Sequence, residues 1–429
     1  MSPLWGAPEM VARPVPTALV LGGTAPHIAL IQSLKTRGWR VVLVDYLDAP
    51  PAAPHADLHV QESTLDPEAV EAVARAEGAS LVIATCVDQA NVIAAQVSER
   101  LGLPAPYSFA TAALIGNKGA MKDRLAEAGL PTARHVSLTK ADLAGLETKI
   151  AALHFPLIVK PADSNGSNGV RRADDLAALR THLTTALEIS RVGEAIVEEF
   201  LEGDELSVDC FIEKGRARIV LVRRKFPMIG VPEGKVIQST GSIAPHDLGD
   251  QAAEVEETLS KLARAFDLDN VPMLVQGFLS PRGFHLIEFS PRLSGGTGSA
   301  VTKQVSGFDA IEASLDSWLG NPVEVTLNPP GIVLMTNTLY AAPGTFDRIE
   351  GIEALLEEGV IARWMPYKTP GMEIGDDMST RSRVGAFLVT APDSATAFAR
   401  TRAAIARIEA YDTQGHALLR RDVLSQLRD

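Results

Sequence analysis

The chain has 429 residues, of which 46% are apolar and 22% charged, and its formal net charge is -13. This length suggests about three domains. The acidic balance disfavours nucleic acid and anionic membranes as partners, so an anionic substrate must meet individually placed Lys and Arg side chains. The two cysteines, Cys86 and Cys210, belong to no spaced Cys/His set, which argues against a zinc site or disulfides and favours a cytoplasmic location.

The N-terminal part of the chain shows alternating strand and helix patterns. The first 16 residues, rich in Pro and Ala, are expected to be a flexible extension without signal-peptide or membrane-anchor character. The predicted strands and helices then alternate at 18–21, 28–37, 41–45, 68–77, 81–84 and 91–101. This alternation predicts a parallel βαβ sheet domain over residues 17–110. A dinucleotide-binding domain, for which Asp45 is suitably placed, is disfavoured because Gly22-Gly23 lacks the G-x-G-x-x-G spacing.

After two helices predicted at 108–115 and 117–128, the pattern changes to paired strands. These strands are predicted at 157–160, 195–201, 207–212 and 218–223. Pairs of this kind indicate antiparallel sheets beside helices, and hence an α+β region. Short strands are predicted again at 323–326, 331–336 and 383–389, followed by a last helix at 394–409. The predicted fold class is therefore α/β at the N-terminus and α+β beyond it.

A glycine-bearing loop follows the strand that ends in Lys160. Its residues are Ser164-Asn165-Gly166-Ser167-Asn168-Gly169. Glycine permits close approach of the backbone, so N–H groups and the hydroxyls of Ser164 and Ser167 would face an anion beside Lys160. By itself the pattern is equally typical of a plain hairpin loop beside a surface lysine.

An acidic segment, Glu198-Glu199-Phe200-Leu201-Glu202-Gly203-Asp204-Glu205, ends a second apolar strand. Backbone groups at such a strand end can recognise a purine edge. Glu205, just past the Gly-Asp turn, would accept both hydroxyls of a ribose. Taken alone, the segment is more typical of an acidic surface loop.

A predicted hairpin carries two oxygen-bearing side chains. Pro281-Arg282-Gly283 suits a three-residue loop, because Pro fits the first turn position and Gly fits a left-handed one. This loop places Gln276 opposite Glu288 on one face of the sheet, where the pair could share a magnesium ion. A two-residue loop would place them on opposite faces, so the loop type decides this prediction.

Several residues beyond the hairpin are candidates for substrate contacts. Arg292, four residues after Glu288, would neutralise charge on a transferred phosphoryl group. Gly295 and Gly296 would present backbone N–H groups to a carboxylate or an oxyanion. Arg223, in the run Arg223-Arg224-Lys225 at a strand end, would bind a substrate carboxylate or phosphate. Asp88, just beyond a parallel strand, would hold an ammonium group. A solvated strand end is an equally good interpretation of Arg223.

The chain resembles the ATP-grasp superfamily, in its carboxylate–amine (amino-acid ligase-like) branch. The resemblance is carried by the order of Lys118, Lys160, the glycine loop, the acidic segment, the hairpin and Arg292. The resemblance implies an ATP-grasp domain at 111–320, with a lid subdomain at about 130–200, between the N-terminal domain and a small C-terminal α+β subdomain at 321–429.

By the same resemblance, Lys118 and Lys160 would hold the ATP phosphates and Glu205 the ribose. Backbone groups of Glu198 and Leu201 would meet adenine, with Glu199 and Phe200 between them. Glu288 would bind magnesium. The family usually has an acid where this chain has Gln276 and Asn where it has Ser290, so the ligand set departs from the family pattern.

The activity implied is an ATP-dependent carbon–nitrogen ligase, forming an amide through an acyl phosphate with ADP and phosphate as products. Mg²⁺, or Mn²⁺ in its place, would accompany ATP. The expected partners are a small carboxylic acid and an amine, such as amino acids or small peptides, without nucleic acid or membrane and in a homodimer. Two alternatives stay open: an enzyme carboxylating an acceptor with bicarbonate, as biotin carboxylase does, and a weakly active nucleotide-binding regulatory protein.

Overall fold

The N-terminal region folds around a four-stranded parallel sheet. The structure is a computed structural model and describes residues 15–164, 168–230, 238–296, 298–375, 378 and 380–428. The elements of this region are β1 (Thr17–Leu21), α1 (Ala25–Thr36), β2 (Arg40–Asp45), β3 (Leu58–Gln61), α2 (Pro67–Ala76), β4 (Ala79–Ile83) and α3 (Asp88–Leu101). The strand order is β3-β2-β1-β4, with every pairing parallel, so the predicted parallel sheet is confirmed. The sequence patterns did not predict β3, because this short edge strand is only half-buried.

Two helices and an antiparallel sheet follow. Asn117 begins the second helix, since its side chain accepts a hydrogen bond from the N–H of Ala120 at 3.0 Å. The elements are α4 (Phe109–Gly116), α5 (Lys118–Glu127), β5 (His135–Thr139), α6 (Leu146–Lys149), β6 (Leu157–Pro161), β7 (Arg171–Ala173), α7 (Leu176–Ile189) and β8 (Glu194–Glu199). The strand order is β5-β8-β6-β7, and α7 packs on the sheet to form a separate small core.

A larger sheet forms the centre of the molecule. The chain segment that contributes its first strands contains β9 (Asp204–Glu213), β10 (Arg216–Pro227), β11 (Ser239–Ala244), α8 (Ala252–Ala265), β12 (Val271–Ser280), β13 (Gly283–Ser290), α9 (Gly298–Ser306) and α10 (Ala310–Trp318). The chain ends with β14 (Val333–Tyr340), β15 (Gly344–Glu350), α11 (Ile352–Glu357), β16 (Arg363–Pro366), β17 (Glu373–Ile374), β18 (Arg383–Ala391), α12 (Ser394–Arg407) and β19 (Glu409–Asp412). One eight-stranded sheet, in the order β13-β12-β9-β10-β11-β14-β18-β16, joins the two parts. The predicted boundary at 321 therefore falls between strands of a single sheet, and the division into domains stays a prediction.

The prediction of a strand at 323–326 is wrong. This segment has no regular structure in the described chain and is held instead by the side chain of Asn270, whose Oδ1 accepts from the N–H of Val323 at 2.9 Å. Prolines at positions 322, 329 and 330 flank the segment and lack the N–H that a central strand would need.

The parallel sheet and the central sheet share one continuous apolar core. Arg37, at the end of α1, strengthens this junction through ion pairs with Glu312 and with Asp316 on α10, the latter at 2.6 Å. The N–H of Leu293 donates to the carbonyl of Thr85 at 3.2 Å, so the segment after β13 lies against the carboxyl edge of β4. No helix in the described ranges has the length and apolar content needed to cross a membrane.

Candidate active site

The hairpin of β12 and β13 brings Gln276 and Glu288 together, but not through the predicted loop. Ser280 pairs with Gly283, so the loop has two residues, Pro281 and Arg282, and the three-residue prediction is wrong. The register shifts further along: Gly277 pairs with Leu286, whereas Gln276 pairs with Glu288. One extra residue on β13, at position 287, makes this β-bulge and returns Glu288 to the face of Gln276.

Gly277 makes the bulge sterically feasible. A Cβ atom at this position would lie 2.5 Å from the Phe284 ring and 2.6 Å from the carbonyl oxygen of His285. Only glycine avoids such contacts without displacing the backbone. The predicted facing pair is thus present because a bulge compensates for the shorter loop.

Two lysines surround the Gln276–Glu288 pair. The amide nitrogen of Gln276 donates to Glu288 at 3.2 Å, and Gln276 Oε1 accepts from Lys225 Nζ at 2.5 Å. Lys225 also donates to Glu205 at 2.7 Å. Lys118 Nζ lies 3.5 Å from Glu288. Burial alone would raise the pKa of Glu288, but nearby lysine charges hold it below its usual range.

Glu198 has a position that the sequence did not reveal, because its buried carboxylate bridges two buried lysines. Lys122 Nζ and Lys160 Nζ each lie 2.6 Å from one of its oxygens. Burial by itself would raise the pKa of Glu198, but the charges of Lys122 and Lys160 outweigh it and lower the pKa to about 2. The expectation for Glu198 concerned only its backbone, so this role of the side chain was missed.

Arg292 is held by Asp88 of the N-terminal sheet region. Its Nε and Nη2 atoms donate to the two carboxylate oxygens of Asp88 at 2.6 and 2.7 Å, and its Nη1 donates to the carbonyl of Leu293 at 2.6 Å. Burial would raise the pKa of Asp88, but Arg292 and the hydroxyl of Ser290 lower it. The structure therefore brings Arg292, Ser290 and Asp88 together.

One cleft of about 560 Å³ collects these groups. The described residues that line it include the predicted site residues Asp88, Lys118, Gln276, Glu288, Ser290 and Arg292. They come from α3, α5, the hairpin and the segment directly after it, and these helices are far from the hairpin in sequence. A cleft in which cations, carboxylates and an amide converge can bind a phosphorylated or carboxylated ligand.

The glycine loop is only partly described. Gly166 and Ser167 lie outside the described residues. The carbonyl of Ser164 accepts from Lys118 Nζ at 2.8 Å, and the hydroxyl of Ser164 donates to the carbonyl of Asn168 at 3.1 Å. Lys118 is thereby joined to the start of the loop, while the role of the loop toward phosphate stays a prediction.

The residues predicted beside adenine lie at the end of β8. The N–H groups of Glu199 and Phe200 donate to carbonyls of Arg134 and Pro156, each at 3.0 Å. The carboxylate of Glu199 pairs with Arg134 at 2.7 Å, and the guanidinium of Arg172 lies 4.8 Å from the centre of the Phe200 ring. Leu201 follows the strand and is half-buried. The adenine contacts of this segment stay predictions, as does the ribose contact of Glu205.

Arg223 is buried beneath the segment that follows Arg292. It pairs with Asp209 at 2.5 Å and donates to Thr302 Oγ1 at 2.7 Å and to the carbonyl of Gly298 at 2.9 Å. These bonds favour a role in holding this segment, and the predicted substrate contact of Arg223 stays untested. Gly295 and Gly296 are exposed above it.

Gly295 lies close to the N-terminal sheet region. A Cβ atom on Gly295 would be 3.5 Å from the carbonyl oxygen of Cys86. Both cysteines are free; Cys210 is buried, whereas Cys86 is only partly buried.

Lys122 is a site residue that the sequence interpretation missed, whereas Lys225 was considered only as part of the basic run at 223–225. Lys122 lies four residues after Lys118 in α5, a spacing that places both on one helix face. Lys225 lies two residues after Arg223 in β10, although the side chains of Arg223 and Lys225 meet different partners. These spacings are the signals that could have identified them.

The donor set fits magnesium carried in with a nucleotide. Magnesium is commonly held by one or two carboxylates together with waters and phosphate oxygens. Glu288 supplies a charged carboxylate and Gln276 an amide oxygen that now accepts from Lys225. Among the described residues no cluster of three or more His, Cys, Asp or Glu side chains forms a protein-only metal site. The set therefore suits an ion that phosphates help to bind.

Two domain families match this sequence. The ATP-grasp domain matches residues 153–301, and the L-amino acid ligase C-terminal domain 2 matches residues 337–411. The first match contains Lys160, Glu198, Gln276, Glu288 and Arg292. The second contains most of the segment that the sequence resemblance placed in a C-terminal subdomain.

Similar proteins extend over most of the chain. Phosphoribosylamine–glycine ligase of Streptomyces coelicolor is 27% identical over 417 residues, covering 91% of this chain and 95% of that protein. D-alanine–D-alanine ligase of Actinobacillus succinogenes is 27% identical over 266 residues, covering 57% of this chain and 77% of that protein. The crystal structure of L-amino acid ligase from Bacillus licheniformis has a TM-score of 0.78 at 20% identity, covering 94% of this chain and all of that one, and so shares its fold. The chain therefore contains an ATP-grasp domain, which is followed by an L-amino acid ligase C-terminal domain 2.

Proposed function

We propose that this chain is an ATP-dependent carboxylate–amine ligase that forms an amide bond through an acyl phosphate, with ADP and phosphate as products. One observation carries the proposal: Lys118, Glu288, Arg292 and Asp88 line a single cleft, although they come from separate parts of the chain. The similar proteins described above are named as ligases, which supports the same class of reaction.

In the first step, a carboxylate oxygen of the acid forms a bond to the γ-phosphorus of ATP. The bond from that phosphorus to the bridging oxygen breaks, and ADP leaves with the electron pair. Lys118 and Arg292 are the cations in the cleft that would neutralise the charge on the transferred group. Lys160 would bind a phosphate oxygen from its position beside Glu198.

In the second step, the amine nitrogen attacks the acyl carbon, the bond to phosphate breaks, and the nitrogen releases one proton. A guanidinium has five N–H donors, and the bonds of Arg292 to Asp88 and Leu293 leave one donor on each terminal nitrogen for a substrate oxygen. Asp88 orients this fork before the oxyanion develops.

Mg²⁺ would bind at Glu288 and Gln276 with phosphate oxygens as further ligands, and it would supply charge neutralisation of the phosphates. Mn²⁺, which also accepts oxygen ligands, would replace it. The proposal extends to amino acids or small peptides as substrates, to a cytoplasmic location and to a homodimer.

Phosphate release from ATP tests the proposal, with panels of acids and amines supplied separately and together. We expect release to require an acid and to be stimulated by an amine, with an amide product detected by mass spectrometry. Failure of every pair would contradict the ligase. Bicarbonate-dependent turnover without an organic acid would support the alternative of a carboxylating enzyme. Tight ATP binding without turnover would support the alternative of a regulatory protein.

A further inference from the structure

The cleft continues beyond the polar groups onto two helices of the N-terminal half. Gln89, Asn91 and Gln96 of α3 line the cleft there as well. The apolar lining includes Val92 and Ile93 on α3, Tyr107 and Phe109 before and at the start of α4, and Ala113 on α4. We refer to these five residues as the apolar arm. The arm opens from the same cleft as Lys118, Glu288 and Arg292, so a ligand held by those groups could extend into it.

The wall of the arm is held by packing within the protein. The ring of Tyr107 is 7% exposed and packs edge-on against Trp318, with 5.9 Å between ring centroids. The Tyr107 hydroxyl lies 3.4 Å from Asn91 Oδ1, which is consistent with a weak hydrogen bond. Because α4 packs on α3, the arm keeps its shape without a ligand.

The charges in the described lining argue for an uncharged occupant of the arm. The three cations there each have a carboxylate partner within the protein. Lys118 lies 3.5 Å from Glu288, Arg191 lies 3.2 Å from Asp163, and Arg292 lies 2.6 Å from Asp88. None of these three cations is left without a carboxylate partner for a second phosphate or carboxylate in the arm, whereas a hydrocarbon group needs no cation.

We propose that the apolar arm receives the hydrocarbon side chain of the carboxylic acid substrate, whose carboxylate lies at Lys118 and Arg292. The proposal rests on the proposed ligase function and adds the class of acid: one with a branched or aromatic apolar side chain. The acid, not the amine, is assigned to the arm because its carboxylate must meet the phosphoryl group at the polar end of the cleft.

Selectivity of the wild-type enzyme is the first test. Trapping of the acyl phosphate by hydroxylamine as a hydroxamate reports on the acid alone, with no second amine needed. The acids to compare are glycine, L-alanine, L-leucine, L-phenylalanine and L-glutamate. We expect kcat/KM for L-leucine or L-phenylalanine to exceed that for glycine about 10- to 100-fold, the range that apolar pockets commonly provide. A preference for glycine or L-glutamate would overturn the proposal.

A matched pair of substitutions on α4 locates the effect. Ala113 and Ala110 are both exposed on this helix, but only Ala113 lines the described cleft. Ala113→Trp fills the arm and should lower the ratio of kcat/KM for L-phenylalanine over glycine about 10-fold or more. Ala110→Trp should keep the wild-type ratio, and thermal melting checks that both variants fold.

The outcomes separate the two proposals. If no acid gives a hydroxamate, the ligase function fails. If acids react but Ala113→Trp leaves the L-phenylalanine to glycine ratio unchanged, the ligase function stands and the assignment of the arm is wrong.

Discussion

Asp88 and Arg292 are joined at two points, with Arg292 Nε 2.6 Å from one carboxylate oxygen of Asp88 and Nη2 2.7 Å from the other. The residues are 204 positions apart in sequence. Asp88 begins α3 at the carboxyl edge of the parallel sheet, and Arg292 follows β13 of the central sheet. Paired hydrogen bonds of this kind restrain a guanidinium in direction as well as position, so the N-terminal sheet region orients a group that we assign to catalysis.

Asp88→Asn should lower kcat about 10-fold while changing KM for ATP little, because the amide keeps the shape but cannot accept both guanidinium bonds. Steady-state kinetics would measure both constants. Asp88→Glu should restore part of kcat, as expected of a positioning residue. Asp57→Asn, which breaks an exposed pair with Lys35 on the same sheet region, is the control and should keep wild-type kcat. An equal loss of kcat in Asp57→Asn would show that Asp88 has no special role in orienting Arg292.

Arg292→Ala should reduce kcat by about 100-fold or more and leave ATP affinity nearly unchanged, because its charge acts chiefly on the transition state. Nucleotide binding by calorimetry and turnover by phosphate release separate the two effects. A variant with normal kcat and a raised KM for ATP would show that Arg292 binds the nucleotide instead.

Glu288→Ala and Gln276→Glu should have opposite effects on magnesium. The first removes the charged ligand, so it should lower activity and raise the magnesium concentration for half-maximal activity. The second adds a carboxylate beside Lys225 and should lower the magnesium concentration for half-maximal activity. Titration of turnover with magnesium at fixed ATP measures this. A higher magnesium requirement in Gln276→Glu would show that its amide, and not a carboxylate, suits the ion.

Glu198→Gln should destabilise the protein by about 3–5 kcal/mol, the usual cost of leaving buried charges without their partner. The folded pKa of Glu198 is lowered to about 2. Its contribution is therefore fully present above the ordinary glutamate pKa and is lost as pH falls from there toward 2. Chemical denaturation at pH 7 and at pH 4 would show that the free energy of unfolding falls less between these pH values in the variant than in the wild type. Glu194→Gln, on the same strand, should retain the wild-type pH dependence.

His27 should make stability depend on pH at mildly acidic values. Its ring is fully buried against the turn after β1, and burial lowers its pKa from 6.5 to about 4. The unfolded chain binds a proton below about 6.5, so wild-type stability falls as pH drops from 6.5 to 4, by up to about 3 kcal/mol.

His27→Gln should lack this component of the pH dependence. Denaturation curves at several pH values between 7 and 4 would measure it. A substitution at His154, whose side chain is 76% exposed, is the control. Parallel wild-type and His27→Gln profiles would contradict the prediction.

The Gln276–Glu288 pair shows how a correct prediction can rest on an incorrect step. Turn chemistry favoured a three-residue loop, and the structure has a two-residue loop with a bulge near Gly277. A bulge is not visible in a residue pattern, since it depends on contacts such as those of Gly277 with Phe284 across the hairpin.

The lysines around Glu198 show a different limit. Lys160 was predicted from its place at a strand end and Lys225 only as part of a basic run, whereas Lys122 was missed. A lysine on a helix or strand is usually solvated, and only the fold shows that Lys122 is fully buried beside Glu198. Lys225 likewise pairs with residues distant in sequence: Glu205 lies 20 positions from it and Gln276 lies 51 positions from it.

The sequence by itself determined the alternating N-terminal elements, the family and the order of its candidate site residues. These features are local: hydrophobic periodicity, turn residues and short motifs can be recognised over a few residues. The domain matches confirm the ATP-grasp domain, and the parallel sheet confirms the N-terminal fold. Only the tertiary structure decided the register of the hairpin, the pairing of Asp88 with Arg292 and the apolar arm. Each of these depends on contacts between segments distant in sequence, whose geometry is set by packing of the whole core.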